Sequence, residues 1–136
     1  MKLDILKDEL IRDEGLKLKP YRCTAGKLTI GVGRNLDDVG ISASEASMLL
    51  EHDINRVITQ LNLHLPWWAN LTEARQRVLV NMTFNLGIVG LLKFKNTLAL
   101  IQAGKYQDAA KAMLQSKWAS QVGERARRLA KMMGEG

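Results

Sequence analysis

Apolar positions along the chain fall into stretches of helical period, broken by one stretch of strand character. Leu3, Ile5, Leu6, Leu10 and Ile11 recur at helical spacing between charges, which predicts a short amphipathic helix over about 3–13. Gly15 reads as its stop and leaves Glu14 at a helix end, where side chains often point into a cleft. Residues 17–34 change character. Leu18, Tyr21, Thr24, Leu28, Thr29, Ile30 and Val32 are strand formers, and Ala25-Gly26 supplies a turn. They predict a small, twisted β-hairpin of two or three strands. Ser42 followed by Glu45 forms a capping box that opens the longest helix, about 43–62. Ala46, Leu50, Ile54, Val57, Ile58 and Leu61 line one face of it. Pro66-Trp67-Trp68 interrupts the chain. Asn70 or Thr72 then caps a strongly apolar helix over about 72–86, ended by Gly87. Shorter helices are expected near 91–102, 106–115 and 123–133, punctuated by glycines.

The predicted class is α+β, mainly α: a small N-terminal lobe with a β-hairpin, joined by a long helix to a helical C-terminal lobe. One domain is expected over 1–136, with the N-terminal lobe at about 12–42, the bridging helix at about 43–62, and the helical lobe at about 63–136 together with the N-terminal helix. Two lobes joined by one helix leave a groove, the usual place for an extended substrate.

Composition narrows the partners. Twenty Lys and Arg against fourteen Asp and Glu give a net charge of +6, which favours a polyanion such as nucleic acid, a membrane surface or a bacterial wall. Three Trp, two Tyr and two Phe are few for a base-stacking platform, so nucleic acid is not expected. The single cysteine, Cys23, excludes an internal disulfide. With only His52 and His64 beside it, the chain matches no zinc-site spacing; no metal and no cofactor are expected. Charges interrupt the apolar runs near Met1, so no signal peptide and no membrane helix are expected.

Read as residues alone, the candidates for chemistry are few. Glu14 at a helix end, with Cys23 and Thr29 on the hairpin, offers an acid plus a water-holder facing one groove. The plainer reading is a helix-end carboxylate, a small buried cysteine and a strand former. A Cys23 nucleophile with His52 or His64 as base lacks an orienting third group. Gly31-Val32-Gly33 lacks the third glycine of a dinucleotide loop, since Leu36 stands there. The run Glu124 to Lys131 is the densest basic cluster; it is a solvated helix face, or it makes phosphate contacts or anchors on an anionic wall or lipid.

Asp13-Glu14-Gly15-Leu16-Lys17-Leu18, Tyr21, Gly26 and Leu28-Thr29-Ile30-Gly31-Val32-Gly33 together resemble the N-terminal active-site stretch of phage lysozymes, the endolysins of glycoside hydrolase family 24. Arg77 to Gly87 is similar to the central helix of that family's C-terminal lobe. Lys93 to Leu98, Ser116-Lys117-Trp118 and Arg125 to Arg128 fit its later segments. The resemblance covers nearly the whole chain. The family pattern is a Glu, eight residues, an Asp or Cys, five residues, then a Thr; here these are Glu14, Cys23 and Thr29.

The resemblance implies a muramidase that hydrolyses the β-1,4 bond between N-acetylmuramic acid and N-acetylglucosamine in peptidoglycan. It makes Glu14 the general acid, a role that needs a carboxyl still protonated near neutral pH. It gives Cys23 and Thr29 the attacking water on the opposite face of the sugar, a layout that suits inversion. Cys23 departs from the commoner Asp, and an unperturbed thiol is mostly neutral at pH 7. Arg125 is implied to orient Glu14, and Phe84 and Asn85 match cleft-facing positions. Arg34 stands where some relatives have His, with no role assigned. The resemblance further implies a monomer that waits in the host bacterium's cytoplasm until a holin releases it to the periplasm and wall. The basic C-terminal helix is expected to contact and somewhat disturb anionic membranes. Two alternatives stay open: a lytic transglycosylase acting on the same bond, and a non-catalytic basic binding module.

Overall fold

The computed structural model describes residues 1–136, in two compact units: Met1–Leu49 and Leu50–Gly136. The division falls inside the longest helix, and the first helix groups with the sheet. A small antiparallel sheet follows the first helix of an otherwise helical chain, which is the α+β, mainly α class expected.

In the first unit, α1 (Leu3–Glu14) buries none of its residues. Strands β1 (Lys17–Arg22), β2 (Leu28–Gly31) and β3 (Arg34–Asn35) follow in the order β1-β2-β3. The hairpin therefore has three strands. Tyr21 pairs with Thr29 and Arg22 with Leu28, while the register shifts between Lys17 and Tyr21. Pro20 lies in that irregular stretch of an edge strand, where its missing N–H breaks no ladder bond. Thr24, Ala25 and Gly26 turn β1 into β2. The Gly26 N–H donates to the Cys23 carbonyl at 2.8 Å, and Gly26 has a φ of 78°. That is a type I turn closed by a left-handed glycine, a common three-residue hairpin loop.

Arg34, without a role in the sequence, receives one here. Its Nη1 and Nη2 donate to Glu45 Oε1 and Oε2 at 3.0 and 2.8 Å, and Nη1 also donates to the Gly40 carbonyl at 3.1 Å. Glu45 also completes the expected capping box: its Oε1 accepts from the Ser42 N–H, and its own N–H donates to Ser42 Oγ. One carboxylate thus ties β3 to the start of α2 (Ala43–His64). The Arg34 fork, then the Ser42 bonds, hold the Glu45 carboxyl down at about 2. A carboxyl lowered on folding stabilises above its unfolded value, and that contribution is lost as pH falls from the unfolded value toward about 2. Acid unfolding of Arg34→Met, followed by circular dichroism, should therefore show a smaller loss of stability across this window than the parent. An unchanged pH profile would mean the pair does not hold the unit together.

The hydrophobic core lies in the second unit; in the first, only Thr29 is buried. The reason is visible in α2, where Leu50 stays exposed and burial begins at Val57 and Leu61. A short 3-10 helix (Pro66–Asn70) leads into α3 (Glu73–Leu92), capped by Thr72 Oγ1, which accepts from the Arg75 N–H. Gly87, at φ 75° and ψ 162°, breaks α3 where the sequence placed its end, and a further turn follows. Then come α4 (Lys95–Gln102), α5 (Tyr106–Leu114), α6 (Lys117–Val122) and α7 (Glu124–Glu135). The helix expected over 91–102 starts later, because Lys93 and Phe94 close a turn on Gly90 and Leu91. The short α6 was not expected.

Ala126, Leu129, Ala130 and Met133 form an i, i+3, i+4, i+7 stripe that α7 buries. It packs on α5, whose buried Ala109 and Ala110 permit close approach. Arg127, Arg128 and Lys131 stay exposed. The apolar side of this helix is thus committed to the core. No single helix is long and apolar enough to cross a membrane.

Candidate active site

Each unit carries part of the predicted constellation. In the first, α1 ends at Glu14 because Gly15 adopts a φ of 78°, and its N–H closes on the Ile11 carbonyl at 2.7 Å. The chain then turns into β1 and leaves the Glu14 side chain exposed. Its carboxyl lies over the turn between β2 and β3. A Cβ added to Gly33 would sit 3.0 Å from Glu14 Oε2 and 3.5 Å from Cδ. No residue of the first unit forms an ion pair with it.

A φ of 67° requires glycine at position 33, and a methyl added there would press on the Glu14 carboxyl and shift it. Gly33→Ala should move the Glu14 carboxyl and lower about tenfold any catalytic rate that depends on its position. Gly104→Ala bears the same left-handed strain, about 1–2 kcal/mol, with nothing within 4 Å of the added methyl. It should match the loss of stability without the loss of rate. Equal rates in the two variants would show that the Gly33 contact does not position Glu14.

Cys23 and Thr29 are brought together at the loop end of the hairpin. Thr29 is 3% exposed, and its Oγ1 donates to the Lys27 carbonyl at 2.8 Å. The hydroxyl has one proton to donate, for which the Lys27 carbonyl and a Cys23 thiolate are alternative acceptors. Cys23 is half-buried, its own N–H bonded to the Lys27 carbonyl at 3.0 Å. Backbone hydrogen bonding from Lys27 and then from Ala25 lowers the thiol below its ordinary value; the Thr29 hydroxyl within reach adds a smaller effect in the same direction. The expected neutral thiol is thus shifted toward thiolate.

In the second unit, Arg125 at the start of α7 donates from Nε to Asn81 Oδ1 at 2.9 Å and from Nη2 to the Asn81 carbonyl at 3.3 Å. Phe84, four-tenths to half exposed at 47%, lines a cavity of about 500 Å³ that also touches Arg125, Asn81 and Ile54. Asn85 is exposed, but its Oδ1 accepts from the buried Trp118 Nε1–H at 2.8 Å, so its side chain is fixed by the fold. Asn81 and Trp118 were missed. A signal for Asn81 was present: Arg77, Asn81 and Asn85 recur every four residues on an otherwise apolar helix. His52 and His64 are exposed on α2. No group of three His, Cys, Asp or Glu side chains is placed to share a metal ion.

Similarity to known proteins identifies the family. The phage lysozyme family profile matches residues 12–132. Two probable T4-type lysozymes of Dictyostelium discoideum are 30% and 33% identical, over 96% and 91% of this chain and 94% and 90% of theirs. An endolysin of Acyrthosiphon pisum secondary endosymbiont phage 1 is 32% identical over 79% of this chain and 72% of its own. The match runs through Glu14, the hairpin and the helical unit alike, and the chain belongs to the phage lysozyme family.

Proposed function

We propose that this chain is an endolysin that hydrolyses the β-1,4 bond between N-acetylmuramic acid and N-acetylglucosamine in peptidoglycan, with inversion. The observation that carries this reading is Glu14 beside the Gly33 turn of the sheet whose hairpin end brings Cys23 near Thr29. Glu14 gives its proton to the glycosidic oxygen as the bond to the anomeric carbon breaks. A water held by Thr29 Oγ1 and Cys23 attacks that carbon from the opposite face, and Cys23, shifted toward thiolate, takes the water's proton. Phe84, Asn85 and Arg125 are the proposed substrate contacts and orienting groups of the second unit.

The test is digestion of purified peptidoglycan in water enriched in heavy oxygen, with mass spectrometry of the products. Reducing muramic acid ends that carry the label are expected. Unlabelled anhydro ends would replace this reading with a transglycosylase, and no cleavage at all would replace it with a binding module.

The same reading places the protein in the host bacterium's cytoplasm until a holin opens the way to the wall, acting as a monomer without nucleic acid. A net charge of +6 suits an anionic wall. Membrane contact is proposed through the basic face of α7 alone, because its apolar stripe is buried. The exposed Arg127, Arg128 and Lys131 should bind anionic vesicles in low salt and release them at about 0.5 M, well past the screening range. Dye leakage should stay at background. Leakage from intact protein would mean that α7 leaves the core.

A further inference from the structure

Phe84 lines a second space besides the cavity it shares with Arg125, a hollow of about 320 Å³ between α2 and α3. Val57 and Ile88 add apolar surface to it, and the rim is polar: Asp53, Arg56 and Gln60. These three recur at i, i+3 and i+7, so they line one face of α2 over about 10 Å. Arg56 Nη2 donates to Asp53 Oδ1 at 2.8 Å, which leaves the rim electrically neutral while keeping further N–H donors and carboxylate acceptors open. Gln60 offers one donor group and one acceptor. At Gly87 the break in α3 leaves the backbone bare, with nothing within 4 Å of where a side chain would begin.

We infer that this hollow is a second carbohydrate subsite, one that takes a neutral N-acetylated pyranose of the glycan strand. A pyranose has an apolar C–H face and an edge of hydroxyl and amide groups. An exposed aromatic ring meets the first, and a rim carrying both donors and acceptors meets the second. The neutral pair argues against the acidic peptide stem, which would gain nothing from Arg56 without repulsion from Asp53. Phe84 then serves as the partition between two binding surfaces, and Asp53, Arg56 and Gln60 are specificity-determining residues outside the acid and water-holding machinery. The inference rests on the muramidase reading for its substrate class, but its test does not need turnover.

The probe is chitotetraose, titrated into the full-length protein labelled with nitrogen-15 and carrying Glu14→Gln. Saturable shifts are expected at the Gln60 side-chain amide, the Arg56 Nε–H and the Gly87 and Ile88 backbone N–H groups. Asp53→Ala with Gln60→Ala should weaken binding about tenfold, the loss of one or two hydrogen bonds. In the active protein the same pair should raise KM with kcat unchanged. Shifts confined to other residues, or an affinity indifferent to the pair, would overturn the subsite. Failure of the muramidase reading appears elsewhere, as missing label in the peptidoglycan products, and leaves the titration readable.

Discussion

Glu14→Gln is expected to slow glycan cleavage by about 10²–10⁴-fold, the usual contribution of a positioned general acid. The amide keeps the shape of the carboxyl and has no proton to give to a leaving oxygen. The loss should fall on kcat and leave KM nearly as it was, because the proton is needed only as the bond breaks. Stability should change by no more than about 0.5 kcal/mol, since Glu14 is exposed and ends its helix through Gly15. Reducing-end assays on purified peptidoglycan, with thermal melts on the same samples, separate the two effects. A variant that keeps more than about a tenth of the parent rate would fall outside that range and remove Glu14 from the acid's role.

The parts of the fold that the sequence revealed are those built from near neighbours. Gly15 and Gly87 end helical stretches where they stand, and the Ser42–Glu45 box forms as its spacing implies. What it concealed depends on residues far apart. Arg34 finds Glu45 across eleven positions, Arg125 finds Asn81 across 44, and Arg75 lies 3.5 Å over the Tyr106 ring while donating to the Met133 carbonyl. No local period encodes such meetings. Helix α6 escaped because six residues are too few to show a period, although Ser116 caps it by accepting from the Ala119 N–H. The candidate site divides in the same way. Glu14, Cys23 and Thr29 are ordinary residues one at a time, and only their spacing within a known family pattern singles them out. The lowered Cys23 thiol comes from the shape of the hairpin loop, which residue type alone does not report.

Trp118→Ala should be among the most damaging single changes to the fold. The ring is 3% exposed, stands edge-on to Phe94 with centroids 6.0 Å apart, and donates its only N–H to Asn85. Its removal empties a large buried volume, at a cost of about 3–5 kcal/mol, much of the 5–15 kcal/mol that holds a domain together. Urea unfolding should show the midpoint falling far, with activity at low temperature following the folded fraction. Asn85 then divides structure from substrate contact. Asn85→Ala leaves the buried indole N–H without a partner, a cost of about 1–3 kcal/mol. In a Trp118→Phe background that cost should nearly vanish, because there is no N–H left to satisfy. Any loss of glycan affinity that Asn85→Ala still causes in that background belongs to the substrate. If the stability cost of Asn85→Ala is the same in both backgrounds, the hydrogen bond to Trp118 is not what holds α3 to α6.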